Sequence, residues 1–178
     1  MGESGMIHDF STKLKESIQA SDEPFWDAIY KKSFPNMVNH MLADADTQSQ
    51  RMGIDRVILL ANGKTIFVDE KKRTKIYDDI LLEYISVSTT NAPGWIEKDL
   101  AIDYLAYAFM PNKTVYMFPW NLLRRAWLHY KPEWMVKYPI ISALNKTYTT
   151  YSVAIPINTV RDAVNLAMVI QLEGAAHV

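Results

Sequence analysis

Residues 53–73, GIDRVILLANGKTIFVDEKKR, limit the fold more than any other stretch of the 178-residue chain. Two apolar runs flank Asn62-Gly63, and that dipeptide signals a β-hairpin because both residues accept the backbone angles of a tight turn. Strands are expected over about 54–60 and 65–71. Val57 and Leu59 alternate with Ile58 and Leu60, and Phe67 alternates with Ile66 and Val68, so both faces are apolar. Such strands are covered on both sides, here by helices, and any charge on them needs a partner. Yet Asp55 stands at one open end, and Asp69, Glu70, Lys71 and Lys72 at the other. Either these charges are a solvated fringe, as is ordinary at exposed strand ends, or they converge on a metal ion.

The remaining chain supplies layers for such a sheet. Residues 1–20 are mixed and polar, as in a frayed helix. In SDEPFWDAIYKKSF, Ser21 or Asp22 can cap a helix, Pro24 suits its first turn and Glu23 its positive end. Phe25, Trp26, Ile29 and Tyr30 recur at helical spacing and predict one buried face. Residues 42–53 read as a polar connection, and ILLEYISV at 80–87 predicts a third strand. NAPGW is a break. After it, IEKDLAIDYLAYAFM predicts a helix with Ile96, Leu100, Tyr104 and Ala108 on one stripe, ended by Pro111. KTVYMF predicts a short buried strand, PWNLLRRAWLHY a helix with Arg124 and Arg125 outward, and YTTYSVAIPI a strand, with a last amphipathic helix from Thr159. The order describes one mixed α/β domain over residues 1–178.

Register decides which charges of the hairpin meet. A two-residue Asn62-Gly63 turn pairs Ala61 with Lys64 and sets Asp55 opposite Glu70, with Lys72 on that face. A three-residue Ala61-Asn62-Gly63 loop, with Gly63 left-handed, pairs Leu60 with Lys64; Asp55 then faces Asp69, and Lys71 shares the face. Spacing leaves both open. Either way an Asp, a second acid and a Lys one residue beyond that acid come together. Two carboxylates can hold a hard divalent cation with positions left for water and phosphate. The Lys can orient the attacking water and balance charge on phosphoryl oxygens.

GIDRV and IFVDEK match, in order and approximate spacing, the signature of the PD-(D/E)XK nuclease superfamily, and the stretch resembles especially its RecB-type exonuclease domains and, more distantly, archaeal-type Holliday-junction resolvases. The family motif runs Gly-hydrophobic-Asp, a hairpin, then an apolar run ending in Asp/Glu-x-Lys. Its second acid follows an apolar residue, a place that Val68 fills before Asp69, so the resemblance favours Asp55, Asp69 and Lys71 over Glu70 and Lys72. It implies Asp55 and Asp69 as Mg²⁺ (or Mn²⁺) ligands, Glu70 as a further ligand through its backbone carbonyl, and Lys71 as the residue that positions the water. It implies a restriction-endonuclease-like core, a central mixed β-sheet flanked by helices, over about 22–118, with a C-terminal α/β extension over 119–178. In some members the first helix adds an acid, for which Asp27 is the candidate beside its plain reading as solvated surface. Asp99 stands where RecB-type domains place a Gln on a later helix, so that role is not carried over. The runs QRMGIDRV, DILLEY and DYLAYAF also resemble small proteins of bacteriophages and prophages.

The expectation is therefore a metal-dependent deoxyribonuclease, with a catalytically inactive nuclease-fold module binding nucleic acid or protein as the alternative. DNA is the expected partner and a homodimer is left open. A net charge of −1 gives no global affinity for nucleic acid, so DNA would rely on local groups. Arg56, Lys64, Lys71, Lys72, Arg73 and Lys75 form one basic run; Lys113, Arg124, Arg125, Lys131 and Lys137 form another, interleaved with Trp120, Trp127, Tyr130 and Trp134. Such a group can track phosphates and stack on bases, or be an aromatic core stripe with a wet basic side. Cysteine is absent, which excludes disulfides and thiolate zinc and fits a reducing cytoplasm. No stretch approaches bilayer length and the first residues lack an apolar signal core, so no membrane is expected. His8, His40, His129 and His177 show no zinc-ligand spacing, and neither a nucleophile elbow nor a phosphate-binding GxxxxGK loop is present.

Overall fold

The computed structural model describes residues 22–43 and 52–173; residues 1–20, Ser21 and most of the connection 42–53 lie outside them. In chain order the strands are β1 (Met37–Leu42), β2 (Arg56–Leu60), β3 (Thr65–Arg73), β4 (Asp79–Val87), β5 (Ala92–Pro93), β6 (Tyr104–Phe109), β7 (Thr114–Pro119), β8 (Ile140–Leu144), β9 (Thr149–Pro156) and β10 (Met168–Gln171). Helices α1 (22–33), α2 (Trp120–Lys137) and α3 (Ile157–Val164) accompany them. Six strands form one sheet in the order β1-β2-β3-β6-β7-β10, and four form a second, β5-β4-β9-β8. In the larger sheet only β3 and β6 run parallel, so the α/β class and the mixed sheet agree with expectation.

Two expected elements are corrected. The helix expected over IEKDLAIDYLAYAFM is instead a 3₁₀ turn, Trp95–Glu97, followed by the buried strand β6. From Leu105 to Phe109 its residues alternate large against small: Ala106 and Ala108 face α1, whereas Leu105, Tyr107 and Phe109 face the opposite layer. That alternation has the period of a strand, and a parallel strand covered on both sides reads as an unbroken apolar run. The strand at 80–87 exists as β4, but it belongs to the second sheet; the third strand of the hairpin's meander is β1, upstream. The crossover from β3 to parallel β6 thus carries β4, β5 and the 3₁₀ turn, where the nuclease core expected from the resemblance has a helix.

The larger sheet is packed on both faces. On one, α1 buries Trp26, Ile29, Tyr30 and Phe34 against Ile58, Leu60, Val68, Ala106 and Met117. On the other, Leu105, Tyr107, Phe109 and Phe118 meet α2, α3 and the second sheet through Trp120, Leu123, Trp127, Ile80, Leu82 and Val160. This second layer leaves the β2 end of that face open: Asp55, just before β2, and Leu59 are exposed. No helix among the described residues is long and apolar enough to cross a membrane.

Candidate metal centre

The turn selects the register. Leu60 N–H donates to Lys64 O at 2.9 Å, Gly63 N–H donates to Leu60 O at 2.9 Å, and Gly63 has φ +79°. Nothing lies within 4 Å of where a Gly63 Cβ would sit, so the left-handed backbone alone requires glycine. This is the three-residue loop. Arg56 pairs with Val68, the last pair of the β2–β3 ladder, and this register brings Asp55, the residue before β2, beside the Val68–Glu70 stretch of β3. Side chains alternate along a strand, so Lys71 shares the Asp69 face while Glu70 and Lys72 point to the other.

Asp55 is anchored through its backbone: its N–H donates to Val68 O at 2.9 Å and its C=O accepts from Ala43 N–H at 2.9 Å. Its carboxylate accepts the Glu70 N–H at 2.8 Å. Asp69 is only 2% exposed, and its Oδ1 accepts a hydrogen bond from the half-exposed Lys71 ammonium. Burial pushes the Asp69 carboxyl up to about 7; the Lys71 charge opposes this, and the adjacent Asp55 carboxyl adds to it through a shared hydrogen bond and like charge. Burial and the neighbouring Asp55 carboxyl thus disfavour the charged form of Asp69, and a cation beside it would favour that form.

That donor chemistry fits a hard divalent ion. Among the described residues no three Asp, Glu or His side chains form a metal cage, so the pair needs oxygens from backbone and water, which is normal for Mg²⁺. In a strand the N–H and C=O of one residue leave by the same edge. The Glu70 N–H meets Asp55, so the Glu70 carbonyl faces that edge as well. Its carboxylate does not: Glu70 Oε1 accepts from Tyr30 OH at 2.8 Å and from Arg56 Nε at 2.9 Å, on the α1 side.

This rear face holds a polar cluster that sequence reasoning did not find. Arg56, 1% exposed, also donates from one terminal nitrogen to both oxygens of Glu23 on α1, at 2.8 and 2.9 Å. His40 Nδ1 lies 3.3 Å from the same nitrogen. Burial works against the Arg56 charge, but Glu70 and Glu23 hold its pKa above the ordinary value. Burial also raises the Glu70 carboxyl, against the pull of Arg56, and burial together with Glu70 raises the Tyr30 hydroxyl well above its usual range. The available signal was an arginine beside Asp55 inside an otherwise apolar strand. Asp27, the candidate helical ligand, pairs with Lys31 at 2.7 Å, which lowers its pKa, and lies 3.3 Å from His40. It joins the rear cluster rather than the Asp55–Asp69 pair.

The basic runs are largely engaged within the protein. Arg56 is buried, Lys72 pairs with Asp22 at 2.9 Å, and Arg73 donates to Tyr107 OH at 3.0 Å and sits over the Tyr77 ring. Lys131 pairs with Glu97, and Arg124 lies 3.6 Å from Asp99. Trp120, Trp127 and Trp134 are core residues, each no more than 2% exposed, so of the two readings of this run the core stripe holds for them; one helical face carries all three. No protein-family model, curated protein or solved structure matches the chain.

Proposed function

We propose that this protein is a divalent-cation-dependent phosphodiester hydrolase acting on DNA, a divergent nuclease of the PD-(D/E)XK type located in the cytoplasm. The observation that supports this reading is the meeting of Asp55, Asp69 and Lys71 on one open-sided face of the hairpin, with Asp69 buried against Asp55. Asp55, Asp69 and the Glu70 carbonyl would hold Mg²⁺ or Mn²⁺. When bound, the cation polarises a phosphoryl oxygen and eases deprotonation of a ligated water. Asp69 would serve as a ligand in its carboxylate form, with Lys71 beside it to balance the buried charge. Lys71 Nζ, which donates to Asp69 Oδ1, would orient the attacking water and balance the charge that grows on the phosphoryl oxygens. The exposed Asp55 side is the approach for a backbone phosphate, since the rear face is filled by α1.

A second reading, a nuclease-fold module without catalysis, is favoured by one feature: the crossover expected as a helix is built from β4, β5 and a 3₁₀ turn. Incubation with linear, nicked, single-stranded and branched DNA, with and without Mg²⁺ or Mn²⁺, separates the two. Metal-dependent cleavage that Asp69→Ala and Lys71→Ala both abolish supports the enzyme. Binding without cleavage, unchanged by either substitution, supports the module.

A further inference from the structure

Each acid of the metal-centre pair is followed in sequence by one half of a buried ion pair: Asp55 by Arg56, and Asp69 by Glu70. The acids leave one face of the hairpin, and Arg56 and Glu70 leave the other. We propose that the Arg56–Glu70 pair, clamped by Glu23 and Tyr30 of α1, is a positioning device that sets the spacing of Asp55 and Asp69 for a divalent cation; this rests on the reading of the site given above.

The geometry carries the argument. Arg56 is opposite Val68, so its contact with Glu70 is diagonal and ties β2 to a point on β3 beyond the last ladder pair. That point is where Asp55 and Asp69 meet. The α1 helix holds both strands separately, Glu23 gripping Arg56 and Tyr30 gripping Glu70. Glu70 also acts on the front face, because its N–H is the donor that fixes the Asp55 carboxylate. A displacement of Glu70 therefore moves the Asp55 carboxylate, the Glu70 carbonyl and the neighbouring Asp69 together. Stability does not explain why the pair is ionic: replacing a buried ion pair by well-packed apolar residues is often neutral or stabilising. A demand for fixed geometry does explain it, since groups behind metal ligands set the ligands' orientation.

The test uses the full chain with the ion pair and its tyrosine anchor replaced together: Tyr30→Phe, Arg56→Met and Glu70→Leu. Thermal stability without metal and affinity for Mn²⁺, followed by titration, are read side by side. The expected result is a melting temperature equal to or above wild type with Mn²⁺ affinity lowered by about tenfold or more. A stable triple variant with wild-type Mn²⁺ affinity overturns the proposal. Should the triple variant not fold, Tyr30→Phe alone removes one anchor of Glu70 and leaves every charge in place; weaker Mn²⁺ binding supports the proposal, and unchanged binding overturns it. Wild-type protein that binds Mn²⁺ but cleaves no DNA removes the nuclease reading and leaves this comparison intact. Wild-type protein that takes up no Mn²⁺ overturns both.

Discussion

Asp55 and Asp69 are neighbours at the open end of the β2–β3 hairpin, where the exposed Asp55 carboxylate accepts the Glu70 N–H at 2.8 Å and Asp69 is 2% exposed. Their proximity follows from a single turn: a left-handed Gly63 gives the loop its third residue and so sets every pair that follows.

The pair predicts a pH-dependent response to metal. Folded Asp69 titrates near 7, above the roughly 3.9 of an unfolded aspartate. The folded state thus holds this proton more tightly, so the stability it contributes is complete below about pH 4 and is lost as pH rises through 7. On the proposed function a bound cation would replace the proton. Thermal melts should show a larger Mg²⁺-induced rise in melting temperature at about pH 8 than at about pH 5.5. Equal rises at both would contradict the shared site.

Asp69→Asn removes the charge that burial opposes. Without metal, at about pH 8, the variant should be more stable than wild type by about 1 kcal/mol, because it needs no proton to relieve Asp55. The same variant should show no Mg²⁺-induced stabilisation and no cleavage. Urea denaturation with and without Mg²⁺ checks both halves.

Lys71 is a functional group rather than a ligand in this account. Lys71→Met should leave Mn²⁺ affinity within a few-fold of wild type while slowing single-turnover DNA cleavage by about 100-fold or more. Loss of metal binding together with activity would place the ammonium in the structural frame instead.

The tryptophans of α2 should behave as core. Trp127, fully buried, is predicted to cost about 3–5 kcal/mol on replacement by alanine, measured by urea denaturation. Trp127→Phe, which keeps the fold, should leave DNA affinity unchanged.

Local chemistry made the hairpin legible in the sequence, because the asparagine–glycine turn and two apolar runs act within a short span. The α1 face was legible for the same reason, through the helical spacing of Trp26, Ile29 and Tyr30. Strand β6 was not: six apolar residues satisfy a helical stripe and a doubly buried strand alike, and only the alternation of Ala106 and Ala108 with larger neighbours separates them. β1 was missed because Asn39 and His40 interrupt its apolar pattern, and its place in the sheet is fixed by pairing with β2. The front of the candidate site, Asp55, Asp69 and Lys71, lies on one hairpin, so turn length and strand alternation within a short span are enough to bring it together. The rear cluster unites Glu23, Tyr30 and His40 with Arg56 and Glu70, so it exists only once α1 docks on the sheet.

The central claim is that Asp55 and Asp69 seat a divalent cation. Diffraction from crystals soaked in Mn²⁺, recorded at a wavelength where manganese scatters anomalously, tests it most directly. The account predicts one strong anomalous peak between the two carboxylates, within ligand distance of the Glu70 carbonyl and lost in Asp69→Asn. A map with no peak there, or with manganese seated only elsewhere, would contradict it.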